Sequence, residues 1–500
     1  MAVLTNNKGV NNMLTVQEIK TFIENDNASL KKRRAKVGQR YYDGKHDILD
    51  YKILFVDKDG EFQVDTTKSN IKITHPFFTE LVDQQVQYML SGKDGFIRSD
   101  DPKLQGHLNE YFNDNEDFMS ELYETITDAI VKGFAYMYAY KNKEDRLSFL
   151  CADSMGVVEV REKETDDGCA YVIFWYVDKI GKDNKKITRI QVWDDKQTAY
   201  FVQEENGAIV PDASEKTNPR PHYLYKESDK EGTFFEGFGY IPFFALHNNR
   251  KQESGIYPIK DLIDDYDLMS CGLSNNIQDT NEALYVVKGF EGDNLDEMTQ
   301  NMKVKKHVGV GAEGGVDIKT VDIPYQARQA KLELDEKNIY RFGMGFNSAQ
   351  LGDGNITNIV IKSRYALLDL KCNKLEIYLK QFMRKLLKPV LKEINDQNGT
   401  DYQQKSIYFE FEREVITNAA DNAQIELTDA QRRQTEINTI LNLQTVIDDE
   451  TRLKLICEQL DIEYEDIKDK VPKVDEGDDG SEARTALGAI VPEDAQDGEG

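Results

Sequence analysis

Five hundred residues with 39% apolar and 31% charged content are enough for two or three domains and leave no shortage of core. The 90 acidic residues outnumber the 63 basic ones, and a net charge of −27 argues against a surface that grips nucleic acid through many phosphate contacts. An acidic wall instead suits a surface that DNA passes without sticking.

Residues 14–36 place Val16, Ile19, Ile23 and Leu30 on one helical face and end in "KKRRAK", cations that suit a helix C-terminus. "YYDGKHDILDYKI" follows as a turn-rich patch, and "EFQV" and "IKI" alternate like short strands. "HPFFTELVDQQVQYMLSG" reads as a helix opened by Pro76 and stopped by Gly92. Residues 117–132 read as another, with Met119, Leu122, Ile126 and Ile130 on one face and Gly133 after it. From Phe134 to Leu246 the period drops to two, in "FAYMYAY", "AYVIFWYV", "KITRIQVW" and "TAYFVQ", which predicts a β-rich region. The polar stretch "EENGAIVPDASEKTNPRPH" within it is expected to be a surface loop.

A helix then begins at Ile259, with Leu262, Ile263, Tyr266, Met269, Leu273 and Ile277 on its apolar face and Asp261, Asp264, Asp265 and Asp267 on an acidic opposite face. Residues 283–324 read as a small α/β insert, and residues 326–342 as a second helix. After a polar loop comes the longest periodic run, Ile361, Tyr365, Leu368, Cys372, Leu375, Leu379, Phe382, Leu386, Val390 and Ile394. It predicts a helix over residues 357–396, about 60 Å long at 1.5 Å per residue, with Pro389 kinking it near its end. "SIYFEFEREVI" reads as a strand and residues 426–470 as helices. The tail from Lys473 is acidic, Gly-rich and free of aromatics, so disorder is expected there.

Catalytic and cofactor signatures are weak. "GVGAEG" at residues 309–314 matches G-x-G-x-x-G, but "GVDIKTVDI" after it alternates like a strand, where a dinucleotide site needs a helix. A glycine-rich hairpin turn fits that context better. The aspartate cluster is of a type that binds Mg²⁺, but without a second ligand group it reads as a solvated or interface-facing stripe. The histidines at 46, 75, 107, 222, 247 and 307 show no ligand spacing, and His247 in "ALHNNR" reads as a structural residue beside Asn248 and Asn249. Cys151, Cys169, Cys271, Cys372 and Cys457 are odd in number and far apart, so ordinary buried thiols are expected. "YVIFWYV", the longest strongly apolar run, is too short for a bilayer, and no signal-peptide layout opens the chain. The reading is a soluble intracellular protein with no membrane partner, no cofactor, no metal and no enzymatic activity.

"YYDGKHDIL", "IPFFALHNNR", "LIDDYDLMSCGLSN" and above all "YRFGMGFNSAQLGDGNITNIVIKSRYALLDLKCNKLE" resemble the portal (head–tail connector) proteins of tailed double-stranded DNA phages of Gram-positive hosts. The resemblance implies an α+β portal fold with a β-rich wing, a two-helix stem, a small α/β clip, a long kinked wing helix and a C-terminal helical crown. It sets N-terminal helices and wing at 1–258, a stem helix at 259–282, the clip at 283–325 and a second stem helix at 326–345. A channel loop at 346–356, the long wing helix and a wing strand at 357–425, the crown at 426–472 and a disordered acidic tail at 473–500 complete it.

It also implies a dodecameric ring around a DNA channel. Twelve copies at −27 give about −320, a lumen along which DNA slides. The implied partners are double-stranded phage DNA held without sequence preference, the terminase large subunit, the major capsid and scaffolding proteins, and a head-completion or adaptor protein. In the channel loop Asn347, Ser348, Gln350 and Asn355 offer neutral hydrogen-bonding groups that touch phosphates without holding them. At the subunit interface Asp261, Asp264 and Asp265 are expected to meet Arg328, Lys331, Lys337 and Arg341 of the neighbouring copy. The clip's basic run, Lys303, Lys305 and Lys306, suits an acidic partner or DNA, and equally a guarded strand edge. Two other readings stay open: a different phage head–tail structural protein, and a nucleotide-dependent enzyme built on "GVGAEG" and the aspartates.

Overall fold

The computed structural model describes residues 2–3, 14–66, 68–92, 95–163, 168–180, 185–205, 207–225, 234–280, 284–288, 313–319, 324–347, 358–414, 419–443, 447–460 and 464. Contacts divide the chain into two compact units, one of residues 1–354 and 362–415, the other of residues 355–361 and 416–500. Helices and strands mostly occur in separate runs, an α+β arrangement.

The first expected helix is two. α1 (Val16–Ala28) and α2 (Leu30–Tyr42) meet at Ser29, whose extended backbone ends one helix and whose hydroxyl caps the next by accepting from the Lys32 N–H at 3.2 Å. The break moves "KKRRAK" from a helix end into the opening turns of α2. Lys32 is therefore turned inward and fully buried, donating to the carbonyls of Ser154, Met155 and Val157 at 2.8, 2.9 and 3.0 Å. Burial, opposed by Asp26 at 3.2 Å, pulls its ammonium below the usual lysine range.

β1 is Ala2–Val3, and a hairpin of β2 (Leu54–Val56) and β3 (Phe62–Val64) precedes α3 (Phe77–Met89), for which Pro76 is the N-cap. "IKI" forms no strand. β4 (Ile97–Ser99), α4 (Pro102–Leu108) and α5 (Glu116–Lys132) follow, and α5 ends at Gly133 with φ of 94°. A Cβ at Gly133 would sit 2.4 Å from the Gln252 carbonyl oxygen, so only glycine fits there.

The β-rich region holds β5 (Phe134–Lys141), β6 (Leu147–Ala152), β7 (Val157–Arg161), β8 (Tyr171–Ile180), β9 (Lys185–Trp193) and β10 (Gln197–Glu204). β11 (Ile209–Pro211), β12 (Arg220–Pro221), β13 (Tyr223–Tyr225), β14 (Phe234–Glu236) and β15 (Phe243–His247) complete it. They do not make one sheet. β15, β5 and β6 form an antiparallel sheet against α5, while β1, β7, β8, β9, β10 and β11 run in order in a second sheet with β12 also on β10. The polar stretch expected as loop thus contributes β11 and β12.

α6 (Lys260–Thr280), the antiparallel pair β16 (Leu284–Lys288) and β17 (Gly315–Lys319), α7 (Tyr325–Gly343) and the 41-residue α8 (Asn358–Asn398) follow. A strand therefore follows the glycine run. "NLDEMTQNM", Lys303, Lys305, Lys306 and the tail from Lys473 lie outside the described residues. α8 continues as helix through Pro389, and its predicted face is the core: Leu368, Cys372, Leu375, Leu379, Phe382, Leu386, Val390 and Ile394 are all buried. That face joins α3, α5, α6 and α7 in one apolar cluster.

Among the described residues of "SIYFEFEREVI", the strand is β18 (Ile407–Phe409), which pairs with β4. In the second unit α9 (Ala419–Asn442) and α10 (Asp449–Leu460) pack together, with α9 beginning earlier than expected. No helix among the described residues is long and apolar enough to cross a membrane.

Candidate functional site

α6 gathers three of the sequence words singled out above onto its sides. The acidic stripe was expected to face outward toward a second copy, and the structure divides it among partners in the same chain. Lys331 Nζ of α7 lies 2.5 Å from Asp265 and also bonds Asp335 one turn along. The Arg328 guanidinium lies over Gly272 of α6, where a Cβ would come within 3.2 Å of Nη1. Lys331 and Asp265 therefore pair within one chain. Asp261, Lys337 and Arg341 are exposed and have no ion-pair partner among the described residues.

The "YYDGKHDIL" segment docks on the opening turns of α6. Lys260 bridges Asp47 and Asp264 at 2.7 and 2.6 Å, and the Tyr41 hydroxyl donates to Asp264. The Tyr41 ring, itself buried, stacks on His46 at 4.6 Å.

Asp267 is not on a solvated face at all. Its side chain is fully buried and receives Nδ1 of His46 at 2.6 Å and Nδ1 of His75 at 2.7 Å. Burial pushes this carboxyl up, but the two histidine hydrogen bonds outweigh that and hold it below its usual range. Two histidines that show no mutual spacing in the sequence thus share one carboxylate.

The "IKI" segment lies extended along α6. The backbone N–H groups of Ser69, Ile71, Ile73 and His75 donate to Asp279 at 3.1 Å, Asn275 at 2.6 Å, Cys271 Sγ at 3.1 Å and Asp267 at 3.0 Å. Two residues of extended chain advance about 6.6 Å and four residues of helix about 6.0 Å. Alternate amides therefore match side chains spaced four apart. The alternation was real, but its partner is a row of helix side chains rather than a strand. Of the four acceptors, Asp267 had been expected on the acidic outer face of α6.

The root of the polar loop is held firmly. Met344 takes the left-handed conformation (φ 55°) that ends α7, and Lys371 donates to the Gly343 carbonyl at 2.9 Å. Desolvation pulls the Lys371 ammonium down to about 8. A Cβ at Gly343 would lie 2.6 Å, and at Gly345 2.0 Å, from Leu81 methyl carbons, so these glycines answer to close packing on α3. Gln84 then binds both backbone groups of Phe346, at 3.0 and 2.8 Å, while the Phe346 ring stacks on Tyr365 at 4.9 Å. Asn347, expected to offer its amide to a passing ligand, donates it to Glu336 at 2.9 Å. Ser348, Gln350 and Asn355 lie outside the described residues.

His247 hydrogen-bonds Gln252 at 3.1 Å, and Asn248 and Asn249 both donate to the Glu253 carbonyl, at 3.0 and 2.9 Å. Burial pushes His247 down to about 4.

Comparison with known proteins gives concordant matches. The model of the family described as phage portal protein, SPP1 Gp6-like, matches residues 21–468. The chain is 28% identical over 341 residues to the portal protein of Bacillus phage SPP1, covering 68% of this chain and 66% of that protein. It is 23% identical over 479 residues to the portal protein of Clostridium phage phiCD119, covering 91% of this chain and 98% of that protein. The chain thus spans just under two thirds of the length of the first relative and nearly all of the second.

Proposed function

The chain belongs to the phage portal protein family, SPP1 Gp6-like, structural proteins of the virion rather than enzymes, and from that premise we propose that it closes into a ring, a dodecamer in the virion, at one capsid vertex. Phage DNA is packaged and ejected through its aperture. The observation that carries the function is the family match across residues 21–468. The ring would assemble in the host cytoplasm, meet scaffolding and major capsid proteins, dock the terminase large subunit, and later seat a head-completion or adaptor protein.

The parts are assigned as follows. α6 and α7 are the stem, tied within each chain by Lys331 and Asp265 at 2.5 Å. Residues 283–325 are the clip, residues 1–258 carry the wing, α8 braces wing and stem, and α9 and α10 belong to the crown. The segment from 346 to 356 faces DNA, anchored at Phe346 and Asn347, so that Ser348, Gln350 and Asn355 supply the neutral contacts. With Asn347 engaged by Glu336, its role is to anchor the loop rather than to touch phosphate. Lys303, Lys305 and Lys306 serve the clip. Between subunits, Asp261, Arg328, Lys337 and Arg341 remain for contact, since Asp264 and Asp265 are engaged inside the chain.

Negative-stain imaging of the purified chain tests this reading. Mushroom-shaped rings with a central hole are expected. A strictly monomeric protein, or particles without an aperture, would overturn it in favour of a different head–tail component.

A further inference from the structure

The hairpin of β2 and β3 presents an apolar face that the chain itself leaves bare. Its register sets Leu54 opposite Val64 and Val56 opposite Phe62, with Phe55 opposite Gln63 between them. Side chains alternate along a strand, so Leu54, Val56, Phe62 and Val64 share one face. All four are exposed, Phe62 to 73%. The hairpin is nevertheless firmly shaped. Asp57 Oδ1 accepts from the Asp59 and Glu61 N–H groups at 3.0 and 2.9 Å, and Gly60 supplies the positive φ the turn requires. A two-stranded hairpin is marginal alone in water, and a bare apolar face of this kind marks an interaction surface.

The same unit exposes a surface of matching character. Ala327, Ala330, Leu334, Lys337 and Arg341 recur at alternating spacings of three and four along α7, all exposed, on the side opposite buried Ile339 and Gly343. Exposed Phe342 lies beside the stripe under the Arg341 guanidinium. The acidic side chains of α7 already have partners: Glu333 receives Gln329 at 2.9 Å, Glu336 receives Asn347 at 2.9 Å, and Asp335 holds Lys331. Lys337 and Arg341 thus leave the stripe cationic. The hairpin turn carries Asp57, Asp59 and Glu61 against Lys58 alone.

We propose that the apolar face of the β2–β3 hairpin of one copy lies on the outer stripe of α7 in the next, with Asp59 and Glu61 meeting Lys337 and Arg341. The inference rests on the ring reading and names the surfaces that close the ring. Two different patches on one chain, complementary in apolarity and charge, make a heterologous contact, the type that closure by rotation demands. The hairpin is tethered to α6 through the extended segment that begins at Ser69, so this contact would couple each stem to its neighbour.

The full chain tests it by sedimentation velocity over a concentration series, with circular dichroism and thermal unfolding reporting the fold. The double variant Val56→Lys with Phe62→Lys should raise the concentration needed for half-assembly about tenfold or more, leaving the unfolding temperature of the monomer unchanged. Lys337→Glu with Arg341→Glu should weaken assembly similarly, and adding Asp59→Lys with Glu61→Lys should restore it. A third variant, Phe62→Cys with Leu334→Cys, should form disulfide-linked dimers and higher ladders on oxidation, where either single variant does not. Rings of wild-type stability from the lysine variant, failure of the charge swap to restore assembly, or absence of the cross-link each overturn the inference. A wild-type chain that never forms rings overturns the ring reading itself.

Discussion

Cys271 and Ile73 are joined twice: the thiol sulfur accepts the Ile73 backbone N–H at 3.1 Å, and the thiol donates to the Ile73 carbonyl at 3.5 Å. A cysteine that the sequence marks only as a buried thiol is one rung of a ladder binding extended chain to helix. The rungs differ in exposure. Asn275→Ala removes a half-exposed acceptor and should cost about 1 kcal/mol, while Cys271→Ser keeps donor and acceptor and should cost less. Hydrogen exchange should show faster protection loss at Ile71 and Ser69 than at His75 in the Asn275 variant. Equal loss at all the amides would mean that the segment releases as a unit.

Asp267 governs the buried end of the same ladder. Asp267→Ala strands two histidine donors and the His75 N–H, and should destabilise the first unit by about 3 kcal/mol in urea unfolding, since each donor left without its acceptor costs about 1 kcal/mol or more. The pH dependence has a fixed sign. A carboxyl held below its unfolded value of about 3.9 adds stability above that value and loses it as pH falls through the folded value. The gap between wild type and Asp267→Asn should therefore narrow below about pH 4. A gap that widens there would contradict the assignment.

The elements that carry the fold were legible where one helix face is buried continuously. α6, α7 and α8 begin and end within a few residues of the periodic runs, because a 3.6-residue pattern needs only a local reading. What the sequence hid is long-range. Asp267 lies 221 positions from His46 and 192 from His75, so no spacing announces their junction. Lys32 reaches carbonyls more than a hundred positions away, and a basic run looks the same whether its lysines point to water or to a carbonyl nest. Ser29 both ends and starts a helix, and the apolar spacing gives no sign of it: Ile19 and Phe22 are buried before the break and Ala35 and Tyr41 after it, while Leu30 is exposed. Gly343 and Gly345, at the root of the polar loop, are set by Leu81 on a helix more than two hundred positions earlier.

Those two glycines make a sharp test of the loop root. Gly345→Ala would drive a methyl into the Leu81 side chain, which is buried and cannot swing away. Overpacking of this kind should cost about 2 kcal/mol. Leu81→Ala creates a cavity on its own, yet the double variant should be more stable than the sum of the two losses, since each relieves the other. Additive losses in a double-mutant cycle would show that the close approach is not what fixes glycine there.

Lys331 and Lys337, both on α7, should behave differently under charge reversal. Lys331 sits between Asp265 and Asp335 of its own chain, with its side chain about a third exposed, so Lys331→Glu brings three carboxylates together. Exposure limits the loss to about 1 kcal/mol, read as a lower midpoint of urea unfolding in dilute, unassembled protein. Lys337 is exposed without an ion-pair partner among the described residues, so Lys337→Glu should leave that midpoint unchanged and act only on assembly. The paired measurement separates cohesion within the chain from cohesion between copies. If both reversals lowered the midpoint alike, the outer stripe of α7 would belong to the packing of the single chain, and its availability to a neighbour would have to be abandoned.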